Sequence, residues 1–227
     1  MIWSNAKDIE VRLIHKRNCA LLFLGFAVLS CCSFTHAETP GRRYGDGPLK
    51  REHFKALVPS DSSLDAVVYT RLNYSYKFRS SAKDGAVELT CTTIVCCSEQ
   101  MPDRSWMRDS AKSELLDHEQ GHLDLAEVVA RKAEARLRYL VRTGKLKAQG
   151  TTKEVAEAAL ARTVRAQFMP FDRELTSVND EYDRVTSHGR DKDAQKAERR
   201  SQKRLVRKLS TRRKPTLTVD ENNAVRQ

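Results

Sequence analysis

The feature that most constrains this chain is the pentapeptide His118-Glu119-Gln120-Gly121-His122, which has HExxH spacing inside an amphipathic stretch. From about Ser110 to Val141, apolar residues and both histidines recur every three or four residues, and Gly121 is the only Gly or Pro. This spacing places side chains on one face of a helix. We therefore predict a long helix over 110–141 that ends before Gly144.

The HExxH spacing within a helix predicts a metal site. Residues four apart project from the same face, so the imidazoles of His118 and His122 can bind one ion. Glu119 is offset by one residue and is predicted to lie beside the ion as a general base. We predict a Zn²⁺ cofactor and a zinc-bound water, activated by Glu119, that attacks a peptide carbonyl. Two surface histidines on a helix are the alternative interpretation.

A catalytic zinc normally has three protein ligands, so one more is needed. His15 and His36 lie in a segment predicted to be removed, and His53 lies in a Pro- and Gly-containing lead-in. We therefore predict His188 as the third ligand. A histidine stabilised by a helix C-terminus is the alternative role for His188. The carboxylate alternatives for the third ligand are Asp183, Asp124 and Glu127.

Three further residues near these ligands are candidates for supporting roles. Tyr182 is predicted as a catalytic residue whose hydroxyl donates to the oxyanion of a tetrahedral intermediate, with ordinary packing as the alternative. Asp117 or Asp124 can orient a ligand imidazole, with a solvated helix carboxylate as the alternative for each.

The rest of the pattern predicts an α+β fold. Alternate residues from Val68 to Tyr76 share one parity, which predicts a strand over 67–78, and a β-branched stretch over 86–97 predicts a second strand. After the long helix, a capping-box pattern at 151–154 starts a second helix that Pro170 ends or kinks, and a third segment covers 171–187. We expect a small antiparallel sheet, the long HExxH-bearing helix and two further helical segments.

The N-terminus has the pattern of an export signal. A basic flank, His15 to Arg17, precedes the apolar run from Cys19 to Cys32, and Ala37 ends a small-x-small site. We predict cleavage after Ala37 and a secreted or periplasmic protein. A lipoprotein attached through Cys31 and an uncleaved membrane anchor are the alternatives.

The cysteines and the charge distribution complete the sequence-based picture. Cys91 can bridge to Cys96 or Cys97 in an oxidising compartment, or these residues are plain buried thiols. The chain has a net charge of +11, and residues 189–214 carry 12 basic and three acidic groups. We predict a signal peptide over 1–37, an extended lead-in over 38–60, a catalytic domain over 61–195 and a basic, disordered tail over 196–227, with a solvated helix as the alternative for the tail.

The basic tail has few candidate partners. It contains no aromatic residue to stack on bases, which disfavours nucleic acid, and we expect it to contact an anionic envelope surface. A solubilising tail without a specific partner is the alternative. The sequence does not indicate an oligomeric state.

The segment LLDHEQGHLDLAEVVARK, preceded by Ser105-Trp106 and followed by YDRVTSHG, resembles the bacterial domain of unknown function 922. The likeness spans roughly Tyr69 to Gln195. That family is described as secreted and zinc-dependent-protease-like. The resemblance implies a zincin-like domain in which His118 and His122 are ligands, Glu119 is the base and His188 is the remaining ligand.

These observations support one main functional hypothesis and two alternatives. The main hypothesis is a secreted or periplasmic zinc metallopeptidase acting on a protein or peptide substrate. The first alternative is a zinc-stabilised, non-catalytic envelope-binding domain. The second is an envelope-tethered module in which the basic tail carries the function.

Overall fold

The computed structural model describes residues 41–83 and 85–211. It contains a small antiparallel sheet followed by three helices, which confirms the predicted α+β class. The strands are β1 (Arg42–Arg43), β2 (Ala66–Val67), β3 (Thr70–Lys83), β4 (Ala86–Gln100), β5 (Trp106–Met107) and β6 (Lys147–Gly150). The helices are α1 (Ser113–Arg142), α2 (Lys153–Thr186) and α3 (Lys192–Thr211). The predicted signal peptide and residues 212–227 of the predicted tail lie outside the described residues.

Among the helices that the structure describes, none combines the length and apolarity needed to cross a membrane.

Strand β4 is the centre of the main sheet. It pairs antiparallel with β3 along its whole length, from Thr70 opposite Gln100 to Lys83 opposite Ala86. Its other edge pairs with β1 at one end and with β6 at the opposite end. Strands β2 and β5 form a separate antiparallel pair. Both predicted strands are present. The second extends beyond position 97 to Gln100, whereas the first begins at Thr70 instead of Val67, which belongs to β2, and continues to Lys83.

A β-bulge explains why the second strand alternates poorly in sequence. Lys77 pairs with Thr93 but its neighbour Phe78 pairs with Cys91, so Thr92 is an extra residue in β4. An inserted residue reverses which parity faces the core. Leu89 and Cys91 are therefore buried before the bulge and Ile94 and Cys96 after it.

Neither of the two possible disulfides of Cys91 is present. Cys91 and Cys97 are free thiols, so neither a Cys91–Cys96 nor a Cys91–Cys97 bridge forms. All three cysteines lie on one extended strand, whose rise of about 3.4 Å per residue keeps positions 91 and 96 far beyond disulfide reach. The alternative is supported for Cys91 and Cys96, which are buried in the core.

Helices α1 and α2 cover one face of the sheet and form the hydrophobic core with it. Leu72, Tyr74 and Tyr76 of β3 face the helices, as their shared parity predicts. The ring of Phe168 lies with its centroid 4.4 Å from that of Tyr74. The fully buried members from the helices include Ala130, Ala133, Leu137, Leu160 and Val164.

Pro170 does not end the second helix, so of the two predicted effects, an end or a kink, the first is wrong. Helix α2 runs unbroken from Lys153 to Thr186, so the second and third predicted segments are one helix. Proline removes the hydrogen bond to the carbonyl four residues earlier, here Ala166. Both Ala166 and Pro170 are exposed, so water can satisfy that carbonyl. The start of α2 agrees with the prediction, because the Thr152 side chain accepts from the Val155 amide at 3.4 Å.

Residues 41–60 are more ordered than the predicted extended lead-in. They form strand β1 and two single 3₁₀ turns, Tyr44–Asp46 and Arg51–His53. Leu49 is buried, and its amide donates to Oε1 of Gln120 at 2.6 Å. The lead-in therefore packs on the outer side of α1.

Residues 196–211 of the predicted tail are helical and not disordered, as in the helix alternative, but the helix is docked on the domain and not solvated on all sides. These residues form most of α3, which packs on α1 through Gln195, Arg199, Gln202 and Val206. Arg199 is the central contact: its guanidinium donates to Asp124, and its Nε donates to Oδ1 of Asp117 at 3.2 Å. The segment buries a largely polar stripe, so its lack of apolar residues does not prevent docking.

We expect Arg199→Met to lower the free energy of unfolding by about 3–5 kcal/mol, because it leaves the Asp124 carboxylate buried without its cation. Only 7% of the Arg199 side chain and 3% of the Asp124 side chain are exposed. Urea denaturation measures the change. Arg200→Met, at the exposed neighbouring position, is the matched control and should change the free energy by less than about 0.5 kcal/mol. Equal losses in both variants would contradict this assignment.

Candidate metal centre

Three side chains from two helices converge on one point. His118 and His122 lie on the same face of α1, and Asp183 lies in the last turn of α2. Oδ1 of Asp183 is 3.0 Å from Nε2 of His118 and 3.1 Å from Nε2 of His122. The two Nε2 atoms are 3.3 Å apart. Among the described residues, this is the group of three whose ligand atoms suit a metal ion.

The shape of this triangle fits a tetrahedral ion. Ligand atoms placed ~2.0–2.1 Å from a central zinc are about 3.3–3.4 Å apart in tetrahedral geometry. The three observed separations of 3.0, 3.1 and 3.3 Å are close to that edge length. Two imidazole nitrogens and a carboxylate oxygen are also a donor set that zinc accepts in catalytic sites. The residues present therefore suit the predicted class of cofactor.

Asn179 orients one of the imidazoles. Its Oδ1 lies 3.0 Å from Nδ1 of His122, which leaves Nε2 of His122 directed at Asp183. Partners of this kind fix the tautomer and orientation of a ligand histidine. Sequence reasoning did not identify Asn179. The available signal is its position four residues before Asp183, one helical turn away on the same face of α2.

The charges at the centre favour a deprotonated aspartate. Burial would raise the pKa of Asp183, but hydrogen bonds from His118 and His122 hold that pKa well below its ordinary value. Burial would likewise lower the pKa of His122, but its hydrogen bond to Asp183 and the charge of Glu119 raise it above the usual value. Asp183 therefore offers an anionic oxygen to any cation bound here.

Glu119 lies beside the two histidines in the same cleft. Its Oε2 accepts a hydrogen bond from the Val68 amide at 2.7 Å. Burial raises the pKa of Glu119 above its ordinary value, against the opposing effect of His122 and His118. A carboxylate with a raised pKa is a stronger base than a solvated one.

His188, the predicted third ligand, is brought to the centre but is not part of the triangle. Its Nδ1 is 3.5 Å from Oδ1 of Asp183, and 57% of its side chain is exposed. Ser187 and His188 both have positive φ angles, 50° and 54°, in the turn that ends α2. Because of that turn, His188 lies at the rim of the cleft. The carboxylate of Asp183, one of the predicted alternatives, is the third member of the triangle.

Tyr182 does not line the cleft. Its ring stacks on His118, with centroids 4.9 Å apart, and its hydroxyl lies 3.5 Å from the backbone oxygen of His118. Burial raises the pKa of Tyr182 above its ordinary value, so the phenol stays neutral. The hydroxyl faces the backbone of α1, where it cannot reach an oxyanion in the cleft. The geometry therefore fits the packing alternative and gives the catalytic role of Tyr182 no support.

Asp117 and Asp124 do not orient the ligand imidazoles. Both carboxylates bind Arg199 of α3, on a different side of α1 from the cleft. Nδ1 of His118 is buried and has no hydrogen-bond partner within the described part of the chain. Asp117 and Asp124, which stand on either side of the HExxH segment in the sequence, therefore hold α3 against α1.

The three ligands open into a cleft of about 680 Å³. This is within the range of roughly 300–1,000 Å³ that is usual for ligand pockets. The segment from Ser63 to Val68 and the turn from His188 to Arg190 both line the cleft. Glu119 and Asn179 line it as well.

Gly121 is required by the packing of Tyr182. A Cβ atom at position 121 would lie 2.2 Å from Oη and 2.5 Å from Cζ of Tyr182. We expect Gly121→Ala to lower the free energy of unfolding by about 1–3 kcal/mol through overpacking, although alanine is the better helix former. Chemical denaturation measures the loss.

Two variants make this test specific. Gly45→Ala places a Cβ with no atom within 4 Å and should be neutral to within about 0.5 kcal/mol. In a Tyr182→Leu background, Gly121→Ala should cost much less, because the ring atoms that clash are gone. An undiminished cost in that background would show that Tyr182 is not the cause.

Residues 51–189 match the family described as bacterial protein of unknown function (DUF922). No curated protein matches the chain, and neither does any solved structure. The matched region contains the HExxH segment, Asn179, Asp183 and the His188-Gly189 turn, and it ends before α3 begins. Because it covers more than half of the 227 residues, the chain belongs to the DUF922 family.

Proposed function

We propose that this protein is a zinc-dependent metallopeptidase with Glu119 as its general base. The observation that carries the proposal is the near-equilateral triangle formed by Nε2 of His118, Nε2 of His122 and Oδ1 of Asp183. A metal bound there would have an open side, because three protein atoms of the described residues converge on that point. An open position is what separates catalytic zinc sites from structural ones.

The proposed cofactor determines the type of reaction. A Zn²⁺ ion held by His118, His122 and Asp183 would act as a Lewis acid that lowers the pKa of a water molecule and polarises a carbonyl group. Zinc is the metal we propose because the two histidines have HExxH spacing on one helix, and two histidines with one carboxylate are a ligand set of catalytic zinc sites.

Glu119 moves the proton in the proposed reaction. Its carboxylate takes a proton from the attacking water as the water oxygen bonds to the carbonyl carbon. It then gives that proton to the nitrogen of the leaving amine as the carbon–nitrogen bond breaks. Burial supports both steps, since a raised pKa makes Glu119 a better base while still allowing it to release the proton.

The cleft also supports a peptide substrate. Its wall from Ser63 to Val68 includes strand β2, whose backbone offers hydrogen-bonding groups near the ligands. Charged side chains of both signs stand around the cleft, including Asp65, Lys112 and Arg190. We further propose that the protein acts outside the cytoplasm, on the basis of the apolar run from Cys19 to Cys32.

We expect one zinc per chain by elemental analysis of the purified protein, and none in His118→Ala. Glu119→Gln should keep the zinc, because Glu119 is not a ligand, and should lower kcat/KM on a panel of fluorogenic peptides by at least about 10²-fold. A chelator should abolish cleavage, and added zinc should restore it.

Two outcomes would redirect the proposal. Full activity in Glu119→Gln would show that Glu119 is not the base. Stoichiometric zinc in a protein that cleaves no peptide of the panel would favour the zinc-stabilised, non-catalytic binding domain.

The third ligand can be identified by comparing two variants five residues apart. Asp183→Ala should weaken zinc binding by at least the ~10- to 100-fold that loss of an outer partner typically costs. His188→Ala should change the affinity by less than about threefold, since His188 lies outside the triangle and is largely exposed. Competition with a fluorescent zinc chelator measures both, and thermal unfolding checks that each variant is folded. The reverse order of losses would restore His188 as the ligand.

A further inference from the structure

Helix α3 carries two stripes with the same spacing. The inner stripe, buried against α1, consists of Gln195, Arg199, Gln202 and Val206. The outer stripe follows one position later, is exposed and consists of Lys196, Arg200, Lys203 and Arg207. We call the outer one the basic stripe. Its members share one face of the helix and span about 16 Å along the axis.

The charge of the basic stripe is not neutralised by the rest of the fold. Its four side chains make no ion pair within residues 41–83 and 85–211. Two paired cations of α3 lie outside the stripe: Lys192 binds Glu114 at 3.4 Å, and Arg199 binds the two aspartates of α1. Asp193 and Glu198 are the only acidic residues in α3, which has eight Lys and Arg. A concentrated positive surface therefore faces solvent.

The fold also holds this surface in place. Besides Arg199, Arg131 of α1 donates to the Val206 backbone oxygen at 2.6 Å near the other end of α3. The stripe is thus fixed along its length on the helix that bears the metal ligands. Helix α3 lies outside residues 51–189, which match the family.

We propose that the basic stripe docks on the anionic phospholipid headgroups of a membrane surface. A straight row of four cations on a rigid helix is complementary to a flat, negatively charged sheet of phosphates. The stripe contains no apolar or aromatic residue, so the contact is electrostatic and shallow, without insertion of the helix.

Nucleic acid is the less suitable partner. Single strands are held by base stacking on aromatic side chains, which the stripe lacks. Duplex DNA would still attract four cations, so it belongs among the outcomes of the test. This proposal does not depend on the peptidase proposal, because the basic stripe contains none of the residues of the cleft.

The test compares binding of the full chain to phosphatidylglycerol vesicles and to phosphatidylcholine vesicles. The ratio of the two affinities is the readout, because the N-terminal apolar run contributes to both. Replacing Lys196, Arg200, Lys203 and Arg207 together with Gln should reduce the ratio at least about tenfold, since each cation near an anionic bilayer contributes roughly fivefold. About 1 M salt, with a screening length of ~3 Å, should abolish the preference.

A matched control separates the stripe from net charge. Replacing Lys55, Lys77, Arg142 and Arg162 with Gln removes the same charge from exposed positions elsewhere and should leave the ratio within about twofold. Thermal unfolding confirms that both variants are folded. Equal losses in the two variants, or an unchanged ratio in the stripe variant, would overturn the proposal. Tighter binding to duplex DNA than to the anionic vesicles would also overturn it.

Discussion

The contact between the Tyr182 ring and the bare backbone of Gly121 brings the end of α2 onto the HExxH segment. A Cβ at Gly121 would meet the phenol at 2.2 Å, so any other residue would separate the two helices. The ring of Tyr182 stacks on the ring of His118. The next residue, Asp183, places its Oδ1 3.0 Å from Nε2 of the same imidazole. The position of Asp183 beside the two histidines therefore depends on a packing contact that itself lies outside the cleft.

Local patterns predicted the elements better than their connections. The shared parity of Leu72, Tyr74 and Tyr76 and the three- and four-residue spacing of α1 follow from backbone geometry alone, and the structure agrees with both. The bulge at Thr92 was not predictable, because it reflects pairing with β3 rather than the strand itself. Similarly, whether Pro170 ends a helix depends on whether water reaches the freed carbonyl, which is a property of the folded surface.

The same division applies to the metal centre. His118 and His122 could be placed together because four residues make about one helical turn. The choice between Asp183 and His188 as the third residue could not be made in this way, because both lie near the end of α2. The backbone conformation after Asp183 determines which of the two side chains lies beside His118 and His122. The left-handed conformations of Ser187 and His188 turn the backbone there, so the histidine stays at the rim. Such φ angles are uncommon for residues other than glycine, and the sequence gives no sign of them.

The docking of α3 escaped prediction because its buried face is polar. Arg199 lies between Asp117 and Asp124, which are seven residues apart on α1, about two turns, so one guanidinium satisfies two carboxylates. An apolar interface tolerates sliding, because one methyl group replaces another. Here a shift of one turn, ~5.4 Å, would separate Arg199 from Asp124 and leave a buried charge without its partner. Helix α3 can therefore dock in a single register. The polar interface thus makes the position of α3 along α1 specific, at the expense of the affinity that apolar burial would provide.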